Sequence, residues 1–102
     1  MSLIKQFSKS KPACKVTFLL PAEALEGAKS VAVLGEFNDW SAEAAPLKKQ
    51  KDGTVKTTVE LQAGKEYQFR YLIDGARWEN DWEADKYVPT PVSTEENSVV
   101  VL

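Results

Sequence analysis

The segment Tyr67-Gln68-Phe69-Arg70-Tyr71-Leu72-Ile73 constrains the fold more than any other stretch of the chain. Tyr67, Phe69, Tyr71 and Ile73 fall on one face of an extended backbone, and Gln68, Arg70 and Leu72 on the other. Period two belongs to a strand, because successive side chains of extended backbone point to opposite sides. A face built from three aromatic rings and an isoleucine has to pack against a second layer, which predicts a core on that side and leaves Arg70 facing solvent. Asp74-Gly75 then turns the chain, since glycine accepts positive φ cheaply.

The same spacing recurs. Cys14, Val16, Phe18 and Leu20 alternate with Lys15 and Thr17 until Pro21 stops the run. Ser30 to Gly35 reads as a second strand, Leu47 to Lys51 as a short lysine-rich one, Thr54 to Leu61 as its partner across the Asp52-Gly53 turn, and Ser98 to Leu102 as a β-branched last strand. Ala22 to Ala28 is expected to be a loop with one turn of helix. The stretch 78–93 reads as loop, with Pro89 and Pro91 discouraging pairing. About seven short strands and no long helix predict an all-β chain, an immunoglobulin-like antiparallel β-sandwich over residues 13–102. Residues 1–12 are set apart as a basic N-terminal arm carrying Lys5, Lys9 and Lys11 and closed by Pro12. Leu3, Ile4 and Phe7 have helix-like spacing, so the arm either folds back and packs or is a frayed tail with one anchoring ring.

Composition removes whole classes of chemistry. The chain has 102 residues, no histidine and one cysteine. A Ser-His-Asp triad, a histidine base, a histidine metal ligand, a disulfide and a cysteine-rich zinc site are all excluded. With 13 basic and 15 acidic residues there is no electrostatic footprint for nucleic acid. No apolar run approaches the ~20 residues that span a bilayer, and residues 1–13 lack the apolar core of a signal peptide. A cytoplasmic protein with no cofactor and no membrane partner is the expectation.

Three motifs in order then become informative. Gly35-Glu36-Phe37-Asn38-Asp39-Trp40 is a G-x-F-N-x-W pattern after a strand. The aromatic strand 67–73 ends in Asp74-Gly75. Trp78 is followed by Asn80-Asp81, and Asn97 precedes the terminal strand. From about Cys14 to Leu102 the chain resembles the glycogen-binding modules of carbohydrate-binding family 48, the isoamylase early-set domains, and among them the small stand-alone bacterial type. The resemblance implies a non-catalytic module that binds α-1,4-glucan on one exposed face, with a glycogen-metabolising enzyme as a candidate partner. It also implies the contacts. The two tryptophans of the family site fall on Trp40 and Trp78, its basic residue on Arg70 and its asparagine on Asn97. The leucine that the family passes through the sugar helix has no clear counterpart here, with Val92 the candidate position, and Ala76-Arg77 puts one extra residue after Asp-Gly.

These residue types suit a sugar. Aromatic rings cover the apolar C–H faces of a glucan; a guanidinium and an amide satisfy its hydroxyls. A surface platform of this kind implies weak affinity, roughly micromolar to millimolar. Each residue also has an ordinary role. A tryptophan in a small sandwich is commonly core, and Trp82, which has no family counterpart, reads as structural or as an extension of the rim, with the core favoured. Arg70 also fits a solvated strand face or a salt bridge, and Asn97 an ordinary turn. Phe37 and Asn38 are assigned to the turn itself, the ring as anchor and the amide as backbone cap. Glu79, Asp81, Glu83 and Asp85 form a solvated acidic loop; paired-carboxylate hydrolysis would need a cleft that a small sandwich lacks, and no calcium-loop spacing is present. Cys14 reads as a small buried hydrophobe. The alternative function is a protein-interaction or structural module with sugar binding lost, in which the arm with Leu3, Ile4 and Phe7 makes an oligomer contact.

Overall fold

The computed structural model describes residues 2–25, 27–41, 43, 45–90 and 95–102. In chain order its strands are β1 (Ser2–Phe7), β2 (Ala13–Leu20), β3 (Val31–Gly35), β4 (Lys48–Lys49), β5 (Val55–Gln62), β6 (Glu66–Ile73), β7 (Arg77–Glu79), β8 (Lys86–Pro89) and β9 (Glu96–Val101), with one helical turn, α1 (Ala22–Leu25). They form two antiparallel sheets. One has the order β1-β2-β5-β4; the other runs β3-β6-β9-β8, with β7 also paired to β6. Among the described residues no helix is long and apolar enough to cross a membrane.

The sheets face each other through the residues whose alternation the sequence displays. Cys14, Val16, Phe18 and Leu20 of β2 are buried, as are Phe69, Tyr71 and Ile73 of β6. Val31 and Val33 of β3, Val55 and Leu61 of β5 and Val100 of β9 complete the layer, and Leu25 of α1 and Leu47 close its end. Phe18 is the hub. Its ring stacks on Phe37 with centroids 5.6 Å apart and meets Phe69 and Tyr71 edge-on at 5.1 and 6.4 Å. Such a side chain contributes about 1.5–3 kcal/mol by leaving water.

The turns follow their residues. Gly53 takes φ +89°, and Asp52 Oδ1 accepts from the Thr54 N–H and hydroxyl. Asp74 and Gly75 both have positive φ, and the Ala76 N–H donates to the Ile73 carbonyl, which turns β6 into β7. Asp74 Oδ1 also accepts from the Lys29 and Ser30 N–H groups, tying this turn to the start of β3. Those two bonds, Ser30 first, hold its carboxyl below the usual aspartate range.

The structure departs from the sequence expectation in two places. Residues 2–7 fold back and pack, the first of the two readings of the arm, but as a strand. They pair with β2 along their whole length, from Ser2 opposite Leu19 to Phe7 opposite Cys14. The register turns Leu3, Lys5 and Phe7 toward the face that carries Phe18, Val16 and Cys14. A lysine in the middle of the inward set breaks the apolar alternation and leaves Leu3, Ile4 and Phe7 to imitate helical spacing. Lys5 Nζ reaches across the open side of the sandwich to Asp85 Oδ2 at 2.7 Å. An inward charge on an edge strand also discourages pairing with another sheet. The stretch 78–93, expected as loop, contributes β7 and β8. Pro89 is tolerated because it ends β8, an edge strand whose outer side needs no N–H donor. Nine strands, two of them very short, therefore replace the expected seven among the described residues.

Phe18→Ala is expected to cost about 3–5 kcal/mol, because three rings lose their common partner. Urea unfolding measures it, and a loss under ~1 kcal/mol would show that the cluster is not the hub of the core.

Candidate functional site

The turn that leaves β3 is locked from both sides. Gly35 lies opposite Phe69. A Cβ there would sit 2.6 Å from the Gln68 carbonyl oxygen and 2.9 Å from Phe69 Cβ, so the first residue of the motif has to be glycine for reasons of space. A short 3-10 turn over Glu36–Asn38 follows. Phe37 plants its ring on Phe18. Asn38 uses its amide twice, accepting the Gly35 N–H and donating to the Val33 carbonyl, both at 3.0 Å. Glu36 Oε1 accepts the Gln68 N–H at 2.7 Å. Asp39 and Trp40 then adopt φ of 54° and 57°, left-handed for two consecutive residues with side chains, and the Trp40 N–H donates to the Gly35 carbonyl. Each such residue costs roughly 1–2 kcal/mol. Trp40 comes out of this strained turn 36% exposed.

The outer face of β6 supplies the second part. Phe69, Tyr71 and Ile73 point inward, so Gln68, Arg70 and Leu72 point outward. Trp78 of β7 is the cross-strand partner of Leu72, and cross-strand partners share a face. The Trp78 ring therefore stands on the outer face, 47% exposed. Val99 of β9 pairs with Gln68, which puts Asn97 on the same face. Arg70, Trp78 and Asn97 are thus brought onto one surface. Trp40 lies on the turn beyond Gly35, and Gly35 and Trp78 are separated by three residues along β6 and two strand spacings, roughly 14 Å.

Arg70 follows its salt-bridge reading. Its Nε and Nη2 donate to the Glu96 carbonyl at 3.2 and 2.8 Å, and Nη1 donates to Glu95 Oε2 at 2.9 Å. The side chain is 13% exposed, held flat beside the start of β9 and not extended into solvent. Trp78, Arg70, Asn80 and Glu95 line a shallow groove of about 350 Å³. Asn97 is buried: only 8% of it is exposed, and its Nδ2 donates to Gln68 Oε1 at 3.0 Å. Asn97 pairs with Val88 of β8, and its side chain packs beside Gln68 just past the end of the β6–β9 ladder. Trp82 is 56% exposed, which overturns the favoured core reading and leaves the rim one. Val92 lies outside the described residues.

The acidic loop is not uniformly solvated. Asp81 is fully buried. Its Oδ2 accepts the Tyr71 hydroxyl at 2.7 Å and its Oδ1 the Glu83 N–H at 2.8 Å, while the Asp81 N–H donates to Ser98 Oγ at 2.9 Å. The Tyr87 hydroxyl donates to the Asp81 carbonyl. Burial pushes the Asp81 carboxyl above the ordinary aspartate range, against the bonds from Glu83 and Tyr71. Burial, then the Asp81 charge, pushes Tyr71 well above the ordinary phenol value. Among the described residues no group of acidic or cysteine side chains is arranged to hold a metal ion. Sequence reasoning missed Gln68 and Asn80 as members of this surface, and Ser98 as a buried support beneath it. Gln68 was legible as the outward neighbour of Arg70 by period two; the tie between Asn80 and Ser98 depends on the β7–β9 juxtaposition.

Residues 24–102 match the family model described as the glycogen recognition site of AMP-activated protein kinase. The chain belongs to that family. The match covers β3 to β9 and therefore both the strained turn and the Arg70–Trp78 groove. Comparison with curated proteins gave no match.

Gly35→Ala is expected to destabilise the fold by more than ~1 kcal/mol, the ordinary cost of a point mutation, because two of the three clashing atoms belong to β6 itself. A thermal midpoint equal to that of the parent protein would contradict this. Asp81 gives a pH signature. A carboxyl raised in the fold binds its proton more tightly there than in the unfolded chain. Its contribution to stability is largest below the ordinary value of 3.8, falls as pH rises through the raised value, and is level above it. Asp81→Asn should remove that fall, so the stability difference between parent and variant changes across the acid range and then becomes constant. A difference independent of pH would show that the carboxyl is not perturbed.

Proposed function

We propose that this domain binds α-1,4-glucan, as glycogen, starch or maltooligosaccharide, without acting on it. The observation that carries the proposal is Trp78, a half-exposed ring on the outer sheet face beside the guanidinium of Arg70, within a chain of the glycogen-recognition family. The ring would cover the C–H face of a glucose unit and Arg70 would meet its hydroxyls. Trp40 is the second ring. Asp39 and Trp40 are left-handed in succession although neither is glycine, and such strain concentrates at binding sites. Asn97 acts indirectly in this scheme, by holding Gln68 on the outer face. The binding unit is placed in residues 13–102, to which the preceding segment adds an edge strand. A shallow open groove gives weak affinity, roughly micromolar to millimolar. A module of this kind would keep a glycogen-metabolising enzyme near its polysaccharide.

Titration with maltoheptaose and β-cyclodextrin, followed by calorimetry and tryptophan fluorescence, tests the proposal. Saturable binding is expected, weakened at least tenfold, or ~1.4 kcal/mol, by Trp78→Ala and by Trp40→Ala, and little changed by Trp82→Ala. Absence of binding at millimolar sugar would reject glucan recognition and favour a protein-interaction role for the same fold.

A further inference from the structure

The outer face has a gap in its backbone ladder that the Asn80 side chain spans. Along one edge of β6, residues Glu66–Phe69 pair with β9 and residues Tyr71–Ile73 pair with β7. Arg70 falls between the two pairings. β7 is three residues long and its strand partner is β6. Nothing in the backbone ladder therefore fixes the end of β7, which carries Trp78, relative to the start of β9, which receives Arg70.

Asn80 spans that gap. Its Nδ2 donates to the Glu96 carbonyl at 2.7 Å, and its Oδ1 accepts from the Ser98 N–H at 3.0 Å and the Ser98 hydroxyl at 2.8 Å. The amide orientation is set by chemistry, because a carbonyl only accepts and a backbone N–H only donates. The Glu96 carbonyl is the same one that takes two bonds from Arg70. Ser98 is itself held from below, since its hydroxyl also accepts the Asp81 N–H. Both ends of the Asn80 side chain are thus committed to β9, and its donating end buttresses the atom that orients the guanidinium.

We infer that Asn80 is a positioning residue for glucan, acting through the Glu96 carbonyl to hold Arg70 in register with the Trp78 ring. The inference rests on the glucan reading given above. Only an amide fits the position. Alanine removes both ties. Aspartate keeps the acceptor for Ser98 and turns a carboxylate oxygen toward the Glu96 carbonyl, removing the tie to Arg70 alone.

The test uses Asn80→Ala and Asn80→Asp in the full chain. Arg70 and Arg77 are the only arginines, so the Nε–H resonance of Arg70 is readily assigned by NMR. Both variants are expected to shift that resonance and to weaken maltoheptaose at least tenfold. In an Arg70→Ala background, Asn80→Ala should have no further effect on affinity, an outcome that a general loss of stability would not produce. If the alanine variant does not fold, the aspartate variant, with its Ser98 tie intact, decides the matter. An unmoved Nε–H resonance, undiminished affinity, or additive losses in the double variant would overturn the inference. If the parent protein binds no maltoheptaose, it is the glucan reading that fails, and the resonance still decides whether Asn80 holds Arg70.

Discussion

Phe18 decides which face of β6 is buried, and the outer surface follows from that choice. Its ring fills the space between Phe69, Tyr71 and Phe37. With Phe69 and Tyr71 committed inward, period two leaves Arg70 and Leu72 outward, and antiparallel pairing carries Trp78 to the same side. A one-residue slip of β6 would send every one of these side chains to the opposite face. Phe37 links the same cluster to the turn that bears Trp40, so one aromatic cluster sets the placement of both exposed rings.

A line of hydrogen bonds runs from this core to the outer face. It passes from the Tyr71 hydroxyl to Asp81, from the Asp81 N–H to Ser98, from Ser98 to Asn80, and from Asn80 to the carbonyl that holds Arg70. Burying Asp81 is tolerable because hydrogen-bond donors meet both its carboxylate oxygens. Buried polar groups joined in this way specify one arrangement of strands where apolar packing alone would allow sliding. Here the arrangement specified is that of β7 against β9, the pair that shares the groove.

The outer face also separates rigid from adjustable parts. Trp78 and Arg70 sit on strands, and Trp40 on a turn whose backbone is held by the Asn38 amide and Glu36 carboxylate. On the glucan reading proposed above, side chains held in this way lose little freedom when sugar binds, which is the means by which a shallow surface gains useful affinity. Asn97 contributes beneath the surface through Gln68, and Trp82 stands exposed on the loop that follows Asp81.

The sandwich, the inward face of β2 and β6 and the Asp-Gly turns were legible in the sequence, because these depend on local alternation and on turn residues whose preferences act over a few positions; the family was legible through the resemblance of three ordered motifs. It also disclosed the role of Phe37 and Asn38, since their partners lie within the same strand and turn or in the core that the alternation defines. The tertiary structure alone decided the rest. Residues 2–7 became a strand because their backbone pairs with β2, and Lys5 finds its partner Asp85 eighty residues away. Asn97 was buried beside Gln68, opposite Val88 of β8. Asp81 left the solvated loop because Tyr71 and Ser98 meet it there. In each case a polar side chain is placed by a partner distant in sequence, and no local pattern of hydrophobicity records which partner that is.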